Sequence, residues 1–176
     1  MLKGKGVSRG IGLGNVVVLK KVERKIEKKT IENEQVEHEL ERLHKALNEV
    51  INETEIQLKN ISGTESDIMQ AYLMILQDPS LISETENAIK NDKYNAEYAV
   101  EVGFNSVVQI FQNMDDEYMA SRAGDILDIK NRVLGKMLNE KTIDLSNLKP
   151  NTIIVATELT TSETAKLDFK NISGII

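Results

Sequence analysis

The sequence predicts an α+β fold in which a helical bundle, residues 31–140, is inserted between strands contributed by residues 1–30 and 141–176. Three observations predict it. Short runs of largely β-branched residues stand near the two ends of the chain: Val16-Val17-Val18-Leu19, Ile153-Ile154-Val155-Ala156 and Gly174-Ile175-Ile176. Between them, Val36, Leu40, Leu43, Leu47 and Val50 recur three and four residues apart, which places one apolar stripe on a long helix. The remaining middle is divided by helix-start signals at Asp78-Pro79, Asn95 and Asp115-Asp116. Neither end alone supplies a sheet, so the strands from the two ends must pair with each other.

The first strand follows Gly4, Gly6, Gly10, Gly12 and Gly14, which call for tight turns and close backbone packing. Thr30 is expected to cap the first helix, with Glu32 and Glu34 in a first turn where the helix dipole favours negative charge. Ser62-Gly63-Thr64 ends that helix. A second helix starts at Thr64 or Ser66 and runs through Ile68, Met69, Tyr72, Leu73, Ile75 and Leu76. Asp78 caps a third helix, with Pro79 at its first position. Asn95 caps a fourth, running through Ala99, Val102 and Phe104 to Phe111. The last starts at Asp115-Asp116 and continues through Met119, Ala123, Ile126, Ile129, Val133 and Met137. The final strands read as members of a covered sheet, with an apolar edge expected at Ile175 and Ile176.

Composition narrows the function. The chain has 176 residues, 40% of them hydrophobic, only 4% aromatic, and no Cys or Trp. Without Cys there is no disulfide framework, no thiol catalysis and no Cys-ligated metal. No apolar run approaches the ~20 residues that span a bilayer, so no membrane insertion is expected. The start of the chain has no signal-peptide core, so a cytoplasmic location is expected. The net charge of −6 is unevenly spread. Residues 1–30 hold nine Lys/Arg and two Glu, whereas residues 65–140 hold fourteen acids and six bases. That acidic middle repels nucleic acid and steers a basic protein towards it.

No complete catalytic constellation is visible. The early glycines match neither the phosphate loop nor the dinucleotide fingerprint in spacing or in flanking elements. His38 and His44 are six residues apart and do not share a helix face as a metal pair would, so both are read as solvated surface residues. Carboxylates fall at helix starts or on polar faces. One local pattern is unusual: Arg122, Asp125 and Asp128 recur at steps of three, which clusters them on one helix surface.

Longer motifs then carry a resemblance. Asp115-Asp116-Glu117-Tyr118-Met119, Arg122-Ala123, Asp125, Asp128-Ile129 and Arg132-Val133-Leu134 form a pattern similar to the last helix of the partner-binding bundle of Enzyme I, the phosphoenolpyruvate-protein phosphotransferase of bacterial sugar uptake. Ala71 to Pro79 with Leu81 resembles the bend between helices in that bundle. Ser8, Gly10-Ile11 and Gly14 resemble the family's opening turn, and Leu159-Thr160 with Ser162-Glu163-Thr164-Ala165 resembles the motif upstream of its active-site loop. Arg9, Tyr72, Pro79, Ser80 and Thr161 depart from the family's usual residues.

The resemblance implies a four-helix bundle inserted in a partial α/β phosphohistidine subdomain. It implies that the bundle docks HPr, the small phosphocarrier, and that the whole protein passes a phosphoryl group from phosphoenolpyruvate through a histidine to HPr. The histidine motif, the magnesium-dependent substrate barrel and the dimer contacts of the family have no counterpart in this sequence, so no catalytic residue and no cofactor are assigned to it. By alignment the docking face is expected to include Asp67, Ile68, Tyr72, Met74, Ile75, Asp78, Phe104, Phe111, Arg122 and Asp125. Ile68, Met74 and Ile75 also fit a bundle core by their spacing. Thr164 matches the threonine that supports the active histidine. A paralogue serving a nitrogen-regulatory or dihydroxyacetone-linked carrier, and a helical interaction module without phosphoryl chemistry, are the alternatives.

Overall fold

The computed structural model describes residues 6–20, 24–59, 61, 63–117, 120, 122–140 and 143–176. They fall into two compact units. Met1–Glu23, Ile143–Leu159 and Lys166–Ile176 bound one, and Arg24–Thr142 with Thr160–Ala165 bound the other.

The first unit is built on three parallel strands: β1 (Asn15–Leu19), β2 (Thr152–Ala156) and β3 (Ile172–Ile175), in the order β1-β2-β3. β1 and β2 pair from Asn15 opposite Thr152 to Leu19 opposite Ala156. β2 and β3 pair with a shift of register between Thr152 and Ile153. The two ends of the chain thus complete one sheet, as their β-branched runs require. Gly14 is needed where β1 begins, because a Cβ there would lie 1.8 Å from the Asn151 carbonyl oxygen. Leu145, Leu148, Ile154 and Leu167 form this unit's core, with Val17 and Ile172 packed against it. The expected covering holds for β2, none of whose residues is exposed, but not for β1. Val16 and Val18 remain exposed, because alternate residues of a strand face opposite sides. Ile175 and Ile176 are exposed as well.

The second unit is helical: α1 (Val36–Leu58), α2 (Thr64–Leu76), α3 (Pro79–Lys90), α4 (Ala96–Gln112), α5 (Ala123–Met137) and the single turn α6 (Thr161–Thr164). The stripe residues of α1 behave as their spacing demands. Leu40, Leu43, Leu47 and Val50 are buried, and Val36 packs on the same core half-buried. They meet Met69, Tyr72 and Leu76 of α2, Ile89 of α3, Val100 and Phe104 of α4, and Ile126, Ile129 and Val133 of α5 in one continuous core. Each such side chain contributes roughly 1.5–3 kcal/mol by leaving water.

Helix boundaries follow local chemistry. Asp78 accepts from the Ser80 and Leu81 N–H groups at 2.8 and 3.0 Å, and Pro79 fills the first position of α3, as expected. Thr30 does not cap α1. It lies in a short antiparallel ribbon, where the Ile31 N–H donates to Lys93 O and Asn95 N–H to Lys29 O. The chain enters α1 instead through a 3-10 turn, Asn33–Gln35, whose Gln35 side chain accepts from the Glu32 N–H at 2.8 Å. Asn95 sits at the N-cap of α4, but its side chain serves Lys29 and Glu97. A neighbouring helix supplies the cap: Glu39 of α1 accepts the Ala96 N–H at 2.7 Å. A helical turn does start at Asp115-Asp116, where Glu117 and Ala120 are helical and the Ala120 N–H donates to Asp116 O at 2.9 Å, but a turn at Arg122 follows and α5 proper begins at Ala123. Tyr118, Met119 and Ser121 of that expectation lie outside the described residues.

Candidate docking face and its buried support

α2 divides sharply by side. Met69, Tyr72 and Leu76, three and four residues apart, point into the core and are fully buried. Asp67, Gln70 and Met74 point the other way, and Gln77 and Asp78 continue that exposed line at the helix end. Met74 is 74% exposed, the highest value for a large apolar side chain among the described residues of the helical unit. Ile68 and Ile75, one flank over, pack on the core but stay only half-buried. An apolar centre with a carboxylate at each end is a surface suited to an apolar, basic partner.

Other expected site residues fall differently. Tyr72 is 0% and Phe104 1% exposed, so neither has surface to offer a partner, and both are core residues. Their positions on the inward faces of α2 and α4 put them there. Phe111 is half-buried on α4, whose main packing partners are α3 and α5 rather than α2. Arg122 and Asp125 are partly exposed and joined at 2.9 Å. Thr164 is exposed and donates to Thr160 O at 2.9 Å.

Beneath α2 lies a polar cluster that spacing alone disclosed only in part. The Tyr72 hydroxyl lies 3.1 Å from Asp125 Oδ1 and 3.1 Å from Asp128 Oδ2, and shares its proton between them. Burial, then the charges of Asp128 and Asp125, push the Tyr72 hydroxyl well above its ordinary range, so it stays a donor. Asp128 is itself buried. Thr161 Oγ1 donates to Asp125 Oδ1 and the Ser162 N–H to Asp128 Oδ2, each at 3.4 Å. The step-of-three pattern found Asp125 and Asp128. It could not show that Tyr72, Thr161 and Ser162 converge on them, because those residues are distant in sequence.

His38 and His44 both lie on the exposed face of α1. His44 Nε2 is 2.8 Å from Glu86 Oε1. Lys90 first, then His44, holds the Glu86 carboxyl below its usual range. No group of three or more His, Asp or Glu among the described residues is arranged to hold a metal ion. No helix among them is long and apolar enough to cross a membrane.

With this geometry in place, comparison with known proteins defines the class. Residues 3–122 match the family model "PEP-utilising enzyme, N-terminal", and the chain belongs to that family. Within it, the chain is similar along its whole length to phosphoenolpyruvate-protein phosphotransferases. It is 34% identical to that of Bacillus subtilis over 98% of this chain and 31% of the relative. It is 31% identical to that of Haemophilus influenzae over 100% of this chain and 31% of the relative. The chain therefore spans about a third of these relatives' length. The fold agrees with a solution structure of Enzyme I, at a TM-score of 0.88 and 32% identity over 99% of this chain and 72% of that one. The N-terminal domain of the nitrogen Enzyme I shares the fold at a TM-score of 0.68 and 23% identity, covering 90% of this chain and 66% of that one.

Proposed function

We propose that this chain is the carrier-docking part of a phosphoenolpyruvate-protein phosphotransferase, and that its helical unit receives the phosphocarrier HPr on the outer face of α2 and the start of α3. The observation that carries the reading is that face itself: Met74, 74% exposed, flanked by Ile68 and Ile75 and bounded by Asp67 and Asp78. A singly exposed apolar side chain is ordinary, but Met74 stands beside the half-buried Ile68 and Ile75, so the three make an apolar patch on one side of α2. A docking face uses such a patch as an adaptable anchor, and the carboxylates around it attract a basic partner and fix its orientation. In the whole protein the reaction is transfer from phosphoenolpyruvate to a histidine and then to HPr, in the cytoplasm, by a magnesium-dependent homodimer. The present residues contribute carrier recognition and, through Thr164, support for that histidine.

Calorimetric titration with HPr tests the reading. Binding should weaken as salt rises, and Asp67→Lys with Asp78→Asn, which removes both charges but keeps an acceptor for the cap of α3, should weaken it at least tenfold while leaving the fold intact. Undiminished binding by that double variant would refute the assignment of this face.

A further inference from the structure

Thr160–Ala165 is a strap: it belongs to the helical unit, whereas Leu159 before it and Lys166 after it belong to the sheet unit. Its internal bonding is complete. Thr160 Oγ1 accepts the Glu163 N–H at 3.2 Å, and the Glu163 carboxylate accepts the Thr160 N–H at 2.9 Å, a closed capping box. The Thr164 and Ala165 N–H groups donate to Thr160 O and Thr161 O at 2.9 and 3.0 Å. Its bonding to the helices is much weaker. Among the described residues, two long hydrogen bonds run from it to the carboxylates, Thr161 to Asp125 and Ser162 to Asp128, both 3.4 Å; the Thr161 hydroxyl also bonds the Tyr72 hydroxyl, and Ala165 packs on the core. Bonds at that length are near the limit of usefulness. The seat, by contrast, is firm. Tyr72 lies between the two carboxylates from a fully buried position, and Arg122 holds Asp125 from the other side.

We infer that Tyr72, Asp125 and Asp128 are positioning residues for the strap: they form a fixed seat from which a preformed turn, carrying Thr164, opens and closes as a unit. Sharing the hydroxyl proton offsets the repulsion between two carboxylates one helical turn apart and aims both at strap donors. Because the strap keeps its own capping box, release displaces Thr164 without unravelling the turn. The significance of moving Thr164 rests on the function proposed above. The seat and the opening do not, and both are measured on this protein without any partner.

The test is amide solvent exchange by NMR. The Ser162 N–H bonds to the seat, whereas the Thr164 and Ala165 N–H groups bond within the strap, so the two sets report docking and internal order separately. Asp128→Ala should speed exchange at Ser162 at least tenfold, Asp128→Asn and Tyr72→Phe by less, and Thr164 and Ala165 by clearly smaller factors in all three. Val50→Ala, a core variant on α1, serves as the control for general destabilisation. Equal acceleration at Ser162 and at α1 core amides in the seat variants, or Ser162 exchange within twofold of the parent in Asp128→Ala, would overturn the inference. If strap exchange behaves as stated but HPr does not bind, the function proposed above fails and the seat stands.

Discussion

Replacing Glu39 tests whether a carboxylate on one helix caps another. The Glu39 carboxylate is nearly buried. It accepts Arg42 Nη1 at 2.9 and 2.8 Å and the Ala96 N–H at 2.7 Å, at the first residue of α4. In Glu39→Ala the Ala96 N–H is left buried without an acceptor, which costs about 1–3 kcal/mol. The loss of negative charge at a helix N-terminus adds about 0.3–1 kcal/mol. Arg42 is not orphaned, because its other nitrogen pairs with Glu97, so the full penalty of an isolated buried charge does not apply. The sum is about 3 kcal/mol, which lowers Tm by about 6–12 °C in a chain of this size. Glu39→Gln keeps an acceptor and the shape, and should lose about half as much. Urea unfolding followed by circular dichroism gives both values. If Glu39→Ala lies within 0.5 kcal/mol of the parent, or if Gln is as damaging as Ala, the cross-helix cap is refuted.

Three other outcomes follow from the same structure. Arg24, through a two-bond fork at 2.8 and 2.6 Å, holds the Glu140 carboxyl below its usual range; at Glu97 burial opposes ionisation, but donors from Arg42 and Asn95 outweigh it and the carboxyl is again lowered. Their stabilising contribution is therefore complete above the unfolded carboxylate value near 4.5 and is lost as pH falls through the lower folded values. Acid titration of stability should show this decline below about pH 4.5, and Glu140→Gln should make it shallower. Gly103→Ala places a Cβ 2.4 Å from Thr85 Oγ1 where α3 and α4 approach, so overpacking should cost about 1–3 kcal/mol in denaturant unfolding, with Thr85→Ala in the same chain restoring most of it. Met74→Ala, at an exposed position, should shift unfolding stability by less than about 0.5 kcal/mol yet weaken HPr binding about tenfold, or about 1.4 kcal/mol, by calorimetry.

Much of the fold was legible because its signals are local. The stripe from Val36 to Val50 gave α1, Asp78-Pro79 gave the start of α3, and the β-branched runs gave all three strands. What was missed depends on residues far apart in sequence. Nothing near Thr30 reveals that residues 29–31 pair with 93–95 and withdraw Thr30 from capping, and nothing near Asn95 reveals that Glu39 takes over its role. The candidate site divides in the same way. Alignment named Asp67, Met74 and Asp78, and the structure leaves all three exposed on one side of α2 and its end. It named Tyr72 and Phe104 as well, but helical phase turns both inward. There Tyr72 meets Asp125 and Asp128 across helices, a contact that no sequence period encodes.

The central claim, a carrier-docking face on α2 and the start of α3, is tested most directly by adding HPr to isotope-labelled protein and following backbone amide shifts by NMR. The account predicts shifts concentrated on residues 67–81 and around Arg122 and Asp125, fading as salt is raised, with the amides of α1 nearly still. Shifts confined to other helices, or none at high concentrations of both proteins with a well-dispersed spectrum, would contradict it.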